Sequence, residues 1–484
     1  MTISLDRVGP SESAVAVERR DPGGRPQRAL TTPTPTAIKA PPAAPAPTPA
    51  PSRPSVTDDR GCPLSTTAEA AREYCQGVYA ILGLRQGAFD HLAKSVELDP
   101  TFALGHAAKA LMAHELCAPA VVPDELHLAS LYAEKATEWE RSHVFAVQSH
   151  IRGDKKALVR HVRRHPKDAL LLNSIMPTIL FGGAVEVPSE AWDVVESCAP
   201  AYSDDDWWFL GTLGFVRQEQ LRFDESMDLA LRSLAVEPAG GHAAHTRAHV
   251  HYETGDHKNG LDFMSNWVLG PGQGADPIDH NAWHAAVHEL SLGDVEAVRR
   301  RYDAQLDPHK MTGCRALIDG GQLFFRWAIT PGAGPAPDMA IIQEIMGHEA
   351  LIHPVTPFHA YHAACVLTIL EDDAGLKTLA TWSAAHKNPV FREGIAPLAD
   401  ALHDLATHRP SVAADKLAAM TPQTRRLGGS DAQREIVEEA RIAALLKAER
   451  YTEAVIVLES RLSRRHAPRD VAWKDWALAQ HKTT

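Results

Sequence analysis

The segment GHAAHTRAHVHYETGDHK, residues 241–258, carries five histidines, and DHNAWHAAVHE, residues 279–289, carries three more. Neutral imidazole is a ligand for zinc, iron and nickel, and a metal centre needs three or four such donors converging from different elements. Side chains four apart on an α-helix lie on one face. His245 and His249 can therefore grip one ion together, as can His280 and His284, or His284 and His288. No glutamate stands between the paired histidines, so this is not the HExxH pattern with its built-in general base. Glu253 continues the face of His245 and His249, and Glu289 follows His288. Either could take a proton from water activated at an open coordination position. The ligand set read from spacing is His245, His249, His280 and His284, around a divalent ion. Zinc with hydrolytic chemistry is favoured, and iron with oxygen chemistry is also permitted.

Helices must place these residues. From Cys62 onward alanine and leucine recur at helical spacing, with no convincing strand, and Asp-Pro or Glu-Pro dipeptides punctuate the helix ends, as in VELDPTFALGHA and LAVEPAGGHA. Residues 207–238 resemble one tetratricopeptide unit, with a first helix, a turn at Leu221-Arg222 and a second helix ending at Pro238. The next unit places Glu253 where the first has Glu219, at the ~34-residue period of that repeat. A third begins at His280, and looser units lie at 75–105 and 441–462. The expected fold is all-α, a tetratricopeptide-like solenoid of stacked hairpins spanning 57–484. With Gly255 as the turn glycine, His242, His245, His249 and Tyr252 fall at groove-lining positions, and His251 and His257 at packing and turn positions. Residues 1–56, rich in Pro, Ala and Thr, read as a disordered or polyproline-like tail.

Composition narrows the partners. The formal charge is -12 and the pI about 6.1, which gives no bulk field for a phosphate backbone, so nucleic acid is set aside. No apolar run reaches the ~18–20 residues of a membrane span, and the N-terminus lacks an apolar leader segment. Six scattered cysteines without a CxxC pair read as buried, reduced thiols, and the expected location is the cytoplasm.

Several segments together are specific: PLSTT (63–67), DPTFALGHA (99–107), ERSHV (140–144), HTRAHV (245–250), HNAWH (280–284), DGGQLFFRW (319–327) and LGGSDAQRE (427–435). Through them the chain resembles the tetratricopeptide-repeat protein 38 family over about residues 57–475. The resemblance implies an all-helical solenoid whose members lack an assigned reaction. It also implies that the pairs His245/His249 and His280/His284 are family features. Relatives carry a glutamate three residues after the second histidine, where this chain has Tyr252 and sets Glu253 one later. The resemblance implies a role for His288 beside the reacting groups or facing substrate.

Other candidates carry two readings each. His362 adds a ligand or a substrate contact from a later helix, or is a satisfied core histidine. His106, Glu140 and His143 cap and pack helices. Ser430 or Asp431 is a natural N-cap, while Arg434 suits a substrate carboxylate or phosphate. Trp207, Trp208, Trp283 and Trp327 read as interhelical packing. Two functions stand: a metal-dependent hydrolase of a small amide or ester, and a binding module that holds a peptide or partner in its concave groove.

Overall fold

The computed structural model describes residues 56–481 apart from 116–119, 181–188, 277 and 312–313. The expected tail, save Val56, and Cys117 lie outside the described residues. The chain folds as an all-α helical repeat solenoid, and the exception is a two-residue antiparallel ladder, Val56–Thr57 with Pro63–Leu64.

One turn recurs through the stack. Leu84, Gly153, Leu221, Gly255, Gly293, Glu371, His408 and Glu449 each have a positive φ. In every case the following residue donates its N–H to a carbonyl five positions back, at 2.8–3.0 Å, as in Arg222 to Arg217 and Asp256 to His251. A left-handed residue with this bond satisfies carbonyls that a helix end leaves unpaired. It also reverses the chain sharply enough to pack the next helix antiparallel. Leu221 and Gly255, 34 positions apart, mark equivalent turns and set the repeat register.

The apolar core forms two large clusters, one drawn from residues 64–216 and one from 252–477. Between them Ala244, Ala248, Met264, Trp267, Val268, Ala275 and Ala285 make a smaller one. The small side chains on the Gly241–Glu253 and Ile278–Leu292 helices let neighbouring helices approach closely, which leaves the histidines as the bulky groups at this level.

The groove expected along these helices is closed by the chain's own C-terminal part. Tyr252 donates to Glu435 at 2.9 Å, Arg465 donates to Glu253 at 2.9 Å, and Gln322 donates to the Gln433 carbonyl at 2.9 Å. Arg326 reaches the Ala432 carbonyl. Arg461 is the hub of this closure, with donors at 2.5 Å from Asp470, 2.9 Å from Glu439, 3.1 Å from Glu438 and 3.2 Å from Glu435. Breaking a buried pair leaves uncompensated charge in a medium of low dielectric. Arg461→Met is therefore expected to cost about 3–5 kcal/mol of folding stability, measured by urea unfolding.

Candidate metal centre

The Gly241–Glu253 helix supplies His242, His245 and His249, and the Ile278–Leu292 helix supplies His280, His284 and His288. Their three- and four-residue spacings stack each set along one face, and the two faces meet. His245, His280 and His284 each offer a nitrogen within 4.8 Å of the other two. His245 Nε2 lies 3.0 Å from His280 Nε2 and 3.2 Å from His249 Nε2. The His249 and His284 ring centres are 4.6 Å apart. His249 and His284 are buried, while His245 and His280 are partly exposed, so the cluster opens to solvent on the latter side.

The carboxylate behind His280 fixes where protons can sit. His280 Nδ1 is 2.9 Å from Asp319 Oδ1, and Arg315 donates to the other Asp319 oxygen at 3.2 Å. Burial pushes the Asp319 carboxyl up, but His280 and Arg315 outweigh it and hold it below the usual range. The ionised carboxylate accepts a hydrogen bond from Nδ1–H, which leaves the lone pair of the neutral ring on His280 Nε2, directed at the cluster. Asp319 lies in a π-helical turn, Ala316–Gly321, that runs into the Gln322–Ile329 helix. Such widened turns often serve functional sites.

His245 and His249 are pushed below the usual histidine range, His249 to about 3, chiefly by burial and then by neighbouring imidazoles. Each neutral ring has one proton. A proton on His245 Nε2 can serve the contact with His280 or that with His249, not both. His249 Nδ1 and His284 Nε2 are buried without hydrogen-bond partners. The proton count of neutral imidazoles thus falls short of the contacts. A cation among His245, His280 and His284, whose nitrogens lie within 4.8 Å of one another, would relieve the shortfall. Donors of a tetrahedral site with bonds of ~2.0–2.1 Å lie about 3.3 Å apart, close to the spacings here. Phe215 stacks on His245 with centroids 5.7 Å apart, and Trp283 stacks on His280 at 5.5 Å, so aromatic walls flank the donors.

The remaining candidates lie around this centre, several of them differently from the sequence-based expectation. His242 pushes His245 down and is itself lowered by burial to about 4, with Nε2 unpartnered, which places it beside the trio. Glu253 is drawn to Arg465, and burial raises its carboxyl. This corrects its expected place as the general base on the ligand face. Both oxygens of Glu289 are committed to Arg301, at 2.7 and 2.9 Å, the reverse of what a general base needs. His288 is fully buried, with its Nδ1 3.1 Å from His257 Nδ1 and its ring against Gly260, where a Cβ would stand 2.4 Å from Cε1. That packing replaces its expected catalytic role. Tyr252 is held by Glu435, Arg326 and the Arg465 guanidinium over its ring, and so faces the C-terminal network instead of the groove. His362 is fully buried and hydrogen-bonded to the Phe358 carbonyl at 2.7 Å, the satisfied core reading. Ser430 caps its helix with a reciprocal bond from Gln433, and Arg434 turns back to Asp431 at 2.5 Å. Sequence reasoning missed Asp319 as a site residue, although it opens DGGQLFFRW.

A second group of three, His143, His161 and Asp168, is also close enough to hold a metal ion. Here a carboxylate oxygen already accepts from both rings, although His143 Nε2 is left buried without a partner. Asp168 Oδ2 accepts from His143 Nδ1 at 2.6 Å and His161 Nε2 at 2.9 Å, and Ser142 donates to His161 Nδ1 at 2.8 Å. Glu140, three residues before His143, completes a capping box with Thr137 and accepts from Ser65 of PLSTT. His106 bridges Glu125 and the Pro100 carbonyl. These segments lock helices together, as the sequence suggested.

A scan against models of known protein families gives no match for the chain.

Replacing Asp319 by Asn removes the carboxylate that orients His280, and metal affinity should fall about 10–100-fold, measured by chelator competition. A pH prediction follows from the buried rings outside the trio. His257, His288 and His362 are each lowered to about 3, with burial the largest cause. A ring depressed in the folded state and ordinary when unfolded contributes stability that is complete above the unfolded pKa. That stability is lost as pH falls below it. Urea unfolding of metal-free protein should therefore show stability dropping from about pH 6.5 toward 3, by up to about 1.4 kcal/mol per pH unit for each such ring.

Proposed function

We propose that this protein is a metal-dependent hydrolase of a small amide or ester metabolite. His245, His280 and His284 would hold the ion, and His249 stands beside the fourth position, which is left to water. The observation that carries the reading is the meeting of imidazole nitrogens at 3.0 and 3.2 Å with fewer protons than contacts, backed by the Asp319 carboxylate. Zinc is the favoured ion. A non-haem iron centre of the common type needs a carboxylate among its ligands, and here the carboxylate stands behind His280 instead of beside the lone pairs.

An ion with an open position supplies a nucleophile from water near neutral pH and polarises a carbonyl. The protein's part is to hold the donors rigidly through Asp319 and Arg315, and to flank His245 and His280 with the rings of Phe215 and Trp283. Substrate enters where His245 and His280 reach solvent. A peptide-holding scaffold is the weaker reading because the C-terminal segment packs over Tyr252 and engages one oxygen of Glu253, so the groove is not open along its length to an extended chain. Membership of the tetratricopeptide-repeat protein 38 family remains part of the proposal. Among the described residues no helix is long and apolar enough to cross a membrane. The free thiols, Cys62, Cys198 and Cys365 buried among them, suit a reducing compartment, and we place the protein in the cytoplasm.

Protein purified without a histidine tag should hold about one equivalent of zinc by plasma emission analysis. His245→Ala and His284→Ala should each lose it, together with hydrolysis of small amides and esters. Metal at a small fraction of one equivalent, unchanged by either substitution, refutes the proposal.

A further inference from the structure

Beyond the imidazoles lies a set of buried polar atoms that the protein leaves without partners: Glu219 Oε1, Glu253 Oε1 and Arg434 Nε. Glu219 and Glu253 are repeat equivalents, each the last residue of its helix. Phe215, one turn before Glu219, packs on the rings of His245 and His249, and His249 stands one turn before Glu253. Both glutamates therefore lie one helical turn beyond the histidine centre, on faces that continue it. The Glu219 side chain is 3% exposed and that of Arg434 9%.

Positive charge is short at this place. Arg434 spends its terminal nitrogens on Asp431 and the Gly429 carbonyl and comes only within 3.8 Å of Glu219. Arg465 serves Glu253 but is shared with Glu435. Glu219, Glu253 and Asp431 thus face Arg434 and a divided Arg465; Arg461, which also lowers Glu253, is hydrogen-bonded to other carboxylates, and Arg425 acts on Asp431. Burial pushes the Glu219 carboxyl up to about 7 against the pull of Arg434, and Asp431 and Glu253 add to the rise. An unpartnered buried polar atom costs stability that a ligand able to pair it recovers.

We propose that Glu219 and Glu253 form the recognition pocket for a primary ammonium group on the small-molecule substrate, with Arg434 Nε directed at an oxygen of the same molecule. This deepens the metal-hydrolase reading and rests on it for the placement of the substrate's other end at the imidazoles. An ammonium group has donors for both orphan oxygens and brings the missing charge. An anionic end would meet carboxyls instead.

The test uses the full chain, with n-butylammonium, butyrate and n-butanol as probes in ligand-observed NMR, and metal content measured on the same samples. Butylammonium should bind in preference to the other two. Glu219→Gln, which keeps shape and removes charge, should weaken it about tenfold or more, the loss of one charge-assisted hydrogen bond. Glu253→Gln should act in the same direction, with circular dichroism checking that both variants fold. Equal binding of all three probes, or affinity for butylammonium unchanged in folded Glu219→Gln, overturns the proposal. Metal bound without ammonium preference sinks the pocket alone. Ammonium preference in protein that takes up no metal supports the pocket and sinks the metal reading.

Discussion

Polar groups taken out of water in a stack of helices must find partners within the protein, and this constraint organises the molecule. Alanine and leucine supply the burial, but the polar side chains choose which helices meet. Arg461 gathers carboxylates from two chain segments, Glu435, Glu438 and Glu439 on one and Asp470 on the other, into one group. Arg465 and Arg326 extend that group to Glu253 and Tyr252 on the histidine-bearing helix. A buried ion pair adds little net stability over an apolar contact of the same shape, yet it tolerates few alternative arrangements. Its effect is to fix where the C-terminal helices lie against the centre of the solenoid.

The two histidine groups show how similar residues acquire different meanings. In His143, His161 and Asp168 a carboxylate oxygen receives both rings, so each N–H of the neutral rings has an acceptor and the acid joins the helices, with His143 Nε2 left unpartnered. In His245, His249, His280 and His284 the carboxylate sits outside, behind one ring, and lone pairs turn inward. Position of the acid, not the number of imidazoles, separates a hydrogen-bonded joint from a ligand set. Repeat structure contributes a second asymmetry. Glu219 and Glu253 occupy equivalent places in successive units, but only Glu253 has an arginine at 2.9 Å.

The quoted sequence segments acquire a physical explanation in the fold. Ser65 of PLSTT binds Glu140, which begins ERSHV, and Thr66 donates to Asp99 of DPTFALGHA at 2.8 Å. DGGQLFFRW and LGGSDAQRE meet through Gln322 and Arg326 on the carbonyls of Gln433 and Ala432, and Asp319 backs the first histidine of HNAWH. These stretches are separated in the chain and interlocked in space.

The sequence by itself determined the all-α class, the turns at Leu221 and Gly255, the shared face of His245 with His249 and of His280 with His284, and an N-cap at Ser430 or Asp431. All of these depend on the helical period or on bonds within a few residues, so local spacing is enough to read them. Only the tertiary structure decided that the two histidine faces meet and that Asp319 stands behind His280. It alone assigned Glu289 to Arg301, Glu253 to Arg465 and Tyr252 to Glu435, across 12, 212 and 183 residues. A carboxylate is equally able to act as base, ligand or ion-pair partner, and which cation reaches it is set by packing between distant helices, which no periodicity along the chain records.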